Sequence, residues 1–280
     1  MRLTALILCF IPVLLQGQTV CSVESRNILE AAFSELSQTK YSKLSTNDLI
    51  VNIGSQFIHT PYVEKTLELP GEEKLVIDVM GLDCTTFLET VVVLARLTKQ
   101  GRLSFEDYEQ ELEFLRYRDG IKRDYSSRLH YFSDWTYQNQ RKGILNDITS
   151  EMGGRYYENK PSFMSANPRF YVQLNNPEFL VQLKAIEEEI KLRTYSFVPK
   201  EELSRHVDKI KPGDLIAITT TMKNLDIVHV GFAIEQNGLI HLLHASTRSM
   251  QVEISDKPLS DYLKGNKSQS GIMVSRLVRP

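Results

Sequence analysis

The chain has 280 residues, 33 basic against 35 acidic side chains, and a formal net charge of −2. Balanced charge without a basic tract speaks against a nucleic-acid partner. Three cysteines, at positions 9, 21 and 84, are too few and too scattered for a disulfide framework.

Residues 1–20 read as a signal peptide. Arg2 supplies the positive start, residues 3–15 are nearly all apolar, and Leu15-Gln16-Gly17-Gln18-Thr19 offers a small-residue cleavage site. The apolar run is shorter than the roughly 18–20 residues of a spanning helix, so the reading is export to the periplasm or exterior, with no integral membrane span after cleavage. Cys21 stands where a lipid-modified N-terminus would begin, but Gln18-Thr19-Val20 lack the small residues such a site prefers.

Helical periodicity covers residues 25–36 (Leu29, Phe33, Leu36), and residues 46–58 supply a second helix. Thr60-Pro61-Tyr62 is a turn and residues 75–79 are strand-like. Asp83 is a good N-cap for a helix ending near Gly101, with Gly81 allowing a tight entry. Phe87, Leu88, Val91, Val92 and Ala95 recur at three and four residues, which predicts one face in a core. Cys84 falls in the first turn, where unpaired N–H groups and the helix dipole favour a thiolate.

Ser104 caps a further helix to about Arg116. Residues 120–174 are aromatic and polar without clear periodicity, which predicts structured loops lining a groove. Asn176-Pro177 opens a helix to about Arg193. The last third is β-rich: Lys211-Pro212-Gly213-Asp214 turns into a strand at 215–219, residues 228–234 and 239–245 form a hairpin across Gln236-Asn237-Gly238, and 271–278 is a final strand.

A lone mid-chain thiol in an oxidising compartment is a hazard unless it has a use. A cysteine nucleophile needs a base and a group to orient that base. The histidines are His59, His130, His206, His229, His241 and His244. With the turn at Asn237-Gly238, His229 lies opposite about residues 244–246, within side-chain reach of His244. His241 sits about three positions further along the strand, which leaves it a rival but makes His244 the better orienting residue. No paired-Cys or HExxH spacing suggests a metal site, and no cofactor motif is present.

Asp83-Cys84-Thr85-Thr86, then Pro212-Gly213-Asp214-Leu215-Ile216, His229-Val230-Gly231-Phe232 and His244-Ala245-Ser246 resemble, in order, the pattern of the NlpC/p60 superfamily of papain-like cell-wall cysteine amidases. Thr60-Pro61-Tyr62 looks like that family's Pro-Tyr element. The resemblance implies an α+β, papain-like fold: a small antiparallel sheet packed on a Cys-bearing helix, here with a large helical and loop insertion at about 102–200 of a single catalytic domain, 21–280. It departs in Thr85, where serine is usual, and in a longer hairpin between the histidines. The inserted segment with Leu129-His130-Tyr131-Phe132-Ser133-Asp134-Trp135 looks like the secreted N-acetylmuramoyl-L-alanine amidase-like branch.

By that resemblance the catalytic residues are Cys84, His229 and His244, and the partner is peptidoglycan or a muropeptide. Tyr62, Asp83, Thr85, His130, Tyr131, Ser133 and Trp135 are the expected substrate-binding residues, Asp83 being either the cap alone or also a ligand for a substrate donor. The bond expected to be cut joins the lactyl group of N-acetylmuramate to L-alanine. The competing readings are a γ-D-glutamyl-diamino acid endopeptidase, a non-catalytic muropeptide-binding protein, and an acyltransferase using the same triad.

Overall fold

The computed structural model describes residues 19–280. Strand β1 (Thr19–Cys21) pairs in parallel with β2 (Leu75–Ile77). The expected signal boundary after residue 20 would divide β1, in which Thr19 faces Leu75 and Val20 faces Val76; the rest of that segment lies outside the described residues. Helix α1 (Val23–Leu36) begins at Ser22, whose hydroxyl accepts the Ser25 N–H. After a short α2 (Thr39–Lys43), α3 (Thr46–Gln56) is capped in the same way by Ser45.

Helix α4 (Cys84–Gln100) starts with a reciprocal cap, Asp83 accepting from Thr86 N–H and the Thr86 hydroxyl accepting from Asp83 N–H. It ends at Gly101 in the left-handed conformation, φ 70°. The expectation of one apolar face is corrected: every residue from Thr86 to Thr98 is buried. A helix apolar nearly all round is stable only when enclosed. Helices α3 and α5 (Phe105–Arg116) pack on it, and so does the histidine-bearing hairpin. Its interior charges are matched, Arg116 donating to Glu89 at 2.7 Å and Arg96 to Glu111.

The segment expected as loops contains a ten-residue helix, α6 (Phe132–Arg141), followed by β3 (Leu145–Asp147), β4 (Arg155–Tyr156) and one turn, α7 (Phe163–Ala166). Helix α8 (Pro177–Lys191) has the expected Asn176 cap and first-turn proline. Then come β5 (Ser196–Pro199), β6 (Leu215–Thr220), β7 (Ile227–Gln236), β8 (Leu239–Ser246), β9 (Gln251–Ile254), the short α9 (Leu259–Lys264) and β10 (Gln269–Leu277). These strands form a mixed-length antiparallel sheet in the order β4-β5-β10-β6-β7-β8-β9, with β3 also on β10. Asn237 and Gly238, at φ 53° and 75°, make the tight turn between β7 and β8.

Pro212-Gly213-Asp214 acts as a clasp. Buried Asp214 accepts two bonds from Arg276 of β10, both 2.7 Å, and the Pro212 carbonyl accepts from Asn47 of α3 at 2.8 Å. A side chain at Gly213 would meet the Asn47 carbonyl oxygen at 2.4 Å, besides needing φ 86°. Among the described residues no helix is long and apolar enough to cross a membrane.

Candidate active site

The cap that starts α4 also fixes the thiol. Asp83 turns its carboxylate onto Thr86, and the next residue, Cys84, opens the helix against β7. Beside it, residues 59–62 extend the sheet edge. His59 N–H donates to the Val252 carbonyl, and Tyr62 N–H donates to the Met250 carbonyl at 2.9 Å. Leu82 N–H in turn donates to the Pro61 carbonyl, tying this edge to the helix entry. Gly81 has no side chain because one would strike Val63 at 2.4 Å. Burial, and after it the nearness of Cys84, raises the Tyr62 hydroxyl above the ordinary phenol value and keeps it protonated.

On the hairpin, Phe232 faces Leu243, which puts His229 and His244 diagonally on one face. Their rings meet edge to face, with His229 Nε2 and His244 Nδ1 2.6 Å apart. Gly231 makes room for the pair: a side chain there would lie 2.9 Å from His244 Cβ. His241 has the opposite parity on β8, faces Ile234, and meets the Ser255 carbonyl through Nδ1 at 2.7 Å. His59 lies against Gln251, and His206 packs over Gly153.

Cys84, Thr85 and His229 line one cavity of about 290 Å³. The Val230 N–H and the Thr85 hydroxyl reach the sulfur and favour its charged form. Burial outweighs them, joined by the neighbouring Asp83 carboxylate, and pushes the thiol up to about 12. This corrects the expectation that the helix start leaves a thiolate. Burial likewise brings His229 down to about 3, helped by His244, and His244 down to about 4. The resting site is therefore a neutral thiol beside two neutral imidazoles.

The aromatic segment divides. His130 and Tyr131 line the cavity wall, with Phe132, Phe163, Tyr171 and the buried Asp226 as neighbours that the sequence reading did not single out. His130 Nε2 donates to the Tyr125 carbonyl at 2.7 Å, which leaves Nδ1 an acceptor. The Tyr131 hydroxyl is fully used, donating to Glu187 at 2.7 Å and accepting from Met164 N–H at 2.9 Å. Two expected binding residues are corrected. Trp135 is 1% exposed, stacks on Phe132 and donates to Glu89 at 3.1 Å; Ser133 is 1% exposed behind Asp226, which accepts its N–H at 2.8 Å. Both belong to the core, Trp135 held there by Glu89 and Ser133 by its backbone N–H on Asp226. Among the described residues no group of three or more His, Cys, Asp or Glu side chains is arranged to hold a metal ion.

No curated protein matches the chain. Solved structures do. An N-acetylmuramoyl-L-alanine amidase from Bacteroides uniformis is 37% identical, with a TM-score of 0.79 over 83% of this chain and 98% of that one. A Bacteroides fragilis protein provisionally called a xylanase is 38% identical, with a TM-score of 0.77 over 81% of this chain and 99% of that one. A Legionella pneumophila protein shares the fold alone, at 24% identity and a TM-score of 0.70 over 91% of this chain and 95% of that one. A family model described as AmiA-like, N-acetylmuramoyl-L-alanine amidase-like, matches residues 52–272. With a match of that extent, this chain belongs to the AmiA-like, N-acetylmuramoyl-L-alanine amidase-like family.

Proposed function

We propose that the protein is an exported cysteine amidase of the NlpC/p60 type that cuts the amide between the lactyl group of N-acetylmuramate and L-alanine in peptidoglycan fragments. The observation that carries this reading is the 2.6 Å contact of His244 Nδ1 with Nε2 of His229, which lines one cavity with Cys84. Family membership and the name of the Bacteroides uniformis relative support the choice of bond.

With Nε2 engaged by His244, the His229 Nδ1 is the nitrogen left to act on the thiol. The neutral resting pair means that the proton moves as the sulfur attacks, not beforehand. His229 takes the Cys84 proton while the C–S bond forms. It then returns that proton to the leaving L-alanine amine as the C–N bond breaks. Water, deprotonated by His229, hydrolyses the thioester and restores the thiol. The Cys84 N–H at the helix start, with the Tyr62 hydroxyl, stabilises the oxyanion; one such donor is typically worth about 3 kcal/mol. His130 lines the cavity with Nδ1 left as an acceptor, which suits an acetamido or peptide N–H.

The xylanase name of one relative favours a second reading, in which cavity carboxylates do the chemistry. Glycoside hydrolysis needs two carboxyl groups free to reach the sugar. The two that line this cavity are engaged, Glu68 by Arg128 at 2.7 Å and Asp226 by Ser133 N–H. The test is mass spectrometry of a defined muramyl peptide and its sugar-free stem. Free sugar acid with an intact stem beginning at L-alanine is the expected outcome. An L-Ala-D-Glu dipeptide from the sugar-free stem would make the protein an endopeptidase instead, and cleavage of a xylan oligomer would make it a glycosidase.

A further inference from the structure

His244 is only half used. One ring nitrogen, Nδ1, meets His229, while Nε2 is buried without a hydrogen-bond partner in a residue 1% exposed. The register of β8 and β9 sets Glu253 directly across from His244, and its carboxylate oxygen lies 3.9 Å from that Nε2. Opposed residues of an antiparallel pair share a face, so the carboxylate is held there by the sheet. The Glu253 side chain is 29% exposed, at the rim, and a side-chain adjustment of about 1 Å brings the two groups into hydrogen-bond range.

We propose that Glu253 is a positioning residue that sets the tautomer of His244 and through it that of His229; the inference rests on the reading of Cys84, His229 and His244 as the working triad. A nitrogen-to-nitrogen hydrogen bond between two neutral imidazoles holds one proton, and it can point either way. When His244 carries its proton on Nε2, toward Glu253, its Nδ1 is an acceptor. His229 must then donate from Nε2, and its Nδ1 is bare and able to take the thiol proton. In the opposite arrangement His244 donates from Nδ1, and His229 carries its proton on Nδ1, where it blocks the reaction. A carboxylate accepts only, so Glu253 selects the productive direction. The remaining groups around this end do not make that choice. Tyr262 of α9 lies edge-on to the His244 ring at 5.6 Å, and Arg248 sits in the turn after β8 within charge reach of Tyr262.

The test compares the parent with Glu253→Gln, which keeps the shape but can donate, and Glu253→Asp, which keeps the charge. Nitrogen-15 NMR of the histidine rings reads the tautomers, and kinetics on the cleaved muramyl peptide reads kcat and KM separately. The expected result is a parent with His244 protonated on Nε2 and a mixture in Glu253→Gln. In that variant kcat falls about tenfold with KM unchanged, and Glu253→Asp retains most of both signals. Identical tautomers in parent and Glu253→Gln would overturn the inference, whether or not kcat fell, since a fall alone would mark a structural role. The NMR signal and the rate of Cys84 alkylation by iodoacetamide need no substrate. If they respond to Glu253→Gln while no muramyl peptide is cleaved, the tautomer control stands and the amidase reading fails.

Discussion

The hairpin of β7 and β8 and the helix α6 carry similar kinds of residue, yet they treat them in opposite ways. On α6 the conspicuous polar groups are engaged inside: Trp135 with Glu89, Asp134 with Arg118 and Arg193, and Asn139 with the Leu115 carbonyl. On the hairpin His244 keeps a buried nitrogen without a partner, and His229 turns toward a cavity that also holds an unpaired thiol. A buried atom without a partner does not by itself mark chemistry, since Ser133 Oγ and Asn139 Oδ1 of α6 are also left without one; what sets the hairpin apart is that His229, held by His244, lines a cavity with a thiol.

The largest expected effect tests the reactive side of that contrast. Cys84→Ser should lower muramyl-peptide hydrolysis at least about a thousandfold with an unchanged far-UV spectrum and urea midpoint, because size and helix position are kept while the strong nucleophile is lost. Activity within tenfold of the parent would break the mechanism. The structural side predicts the reverse for Trp135→Ala. Stability should drop by about 3–5 kcal/mol in denaturant titrations, since a buried indole leaves a cavity and Glu89 loses a donor. The turnover of the folded fraction should stay within about threefold; a selective rise in KM would return Trp135 to the binding surface.

Sharpening the contrast within one strand, His244→Ala should reduce kcat about a hundredfold and His241→Ala only a few-fold, read side by side on folded variants. If His241→Ala proves the more damaging, the partner of His229 has been misassigned. The last test is on pH. His130, His229 and His244 are all held neutral by burial, well below the ordinary imidazole value. Between their folded values and about 6.5 the unfolded chain binds more protons, so stability is full above about pH 6.5 and is lost as pH falls toward 4. Urea midpoints at pH 7 and pH 4.5 measure this, and His130→Gln should flatten the slope by removing one contributor.

Much of the reactive side was legible because it rests on short-range signals. The Asp83 cap, the period of α4 and the Asn237-Gly238 turn are each local, and the hairpin register followed from the turn alone. Helix α6 was not legible, since Phe132-Ser133-Asp134-Trp135 presents no apolar stripe and is held by residues as distant as Glu89, Arg193 and Asp226. The state of the Cys84 thiol was misread for a related reason. A helix start is visible in sequence, whereas the desolvation that overrides it depends on what the whole fold stacks above the sulfur. Glu253 escaped notice because β9 is only four residues long, too short for the polar–apolar alternation of Gln251-Val252-Glu253-Ile254 to stand out as a strand.

Strand β10 is the last element along the chain but lies inside the sheet, between β5 and β6. A polypeptide emerges from the ribosome N-terminus first, so Cys84 and its helix exist long before the sheet can close. Until residues 269–277 arrive, β6 has an open edge and Asp214 lacks the Arg276 half of its clasp. A chain cut short before residue 269 thus carries the Cys84 helix beside a sheet split at β6, with β5 left no strand to pair with but β4.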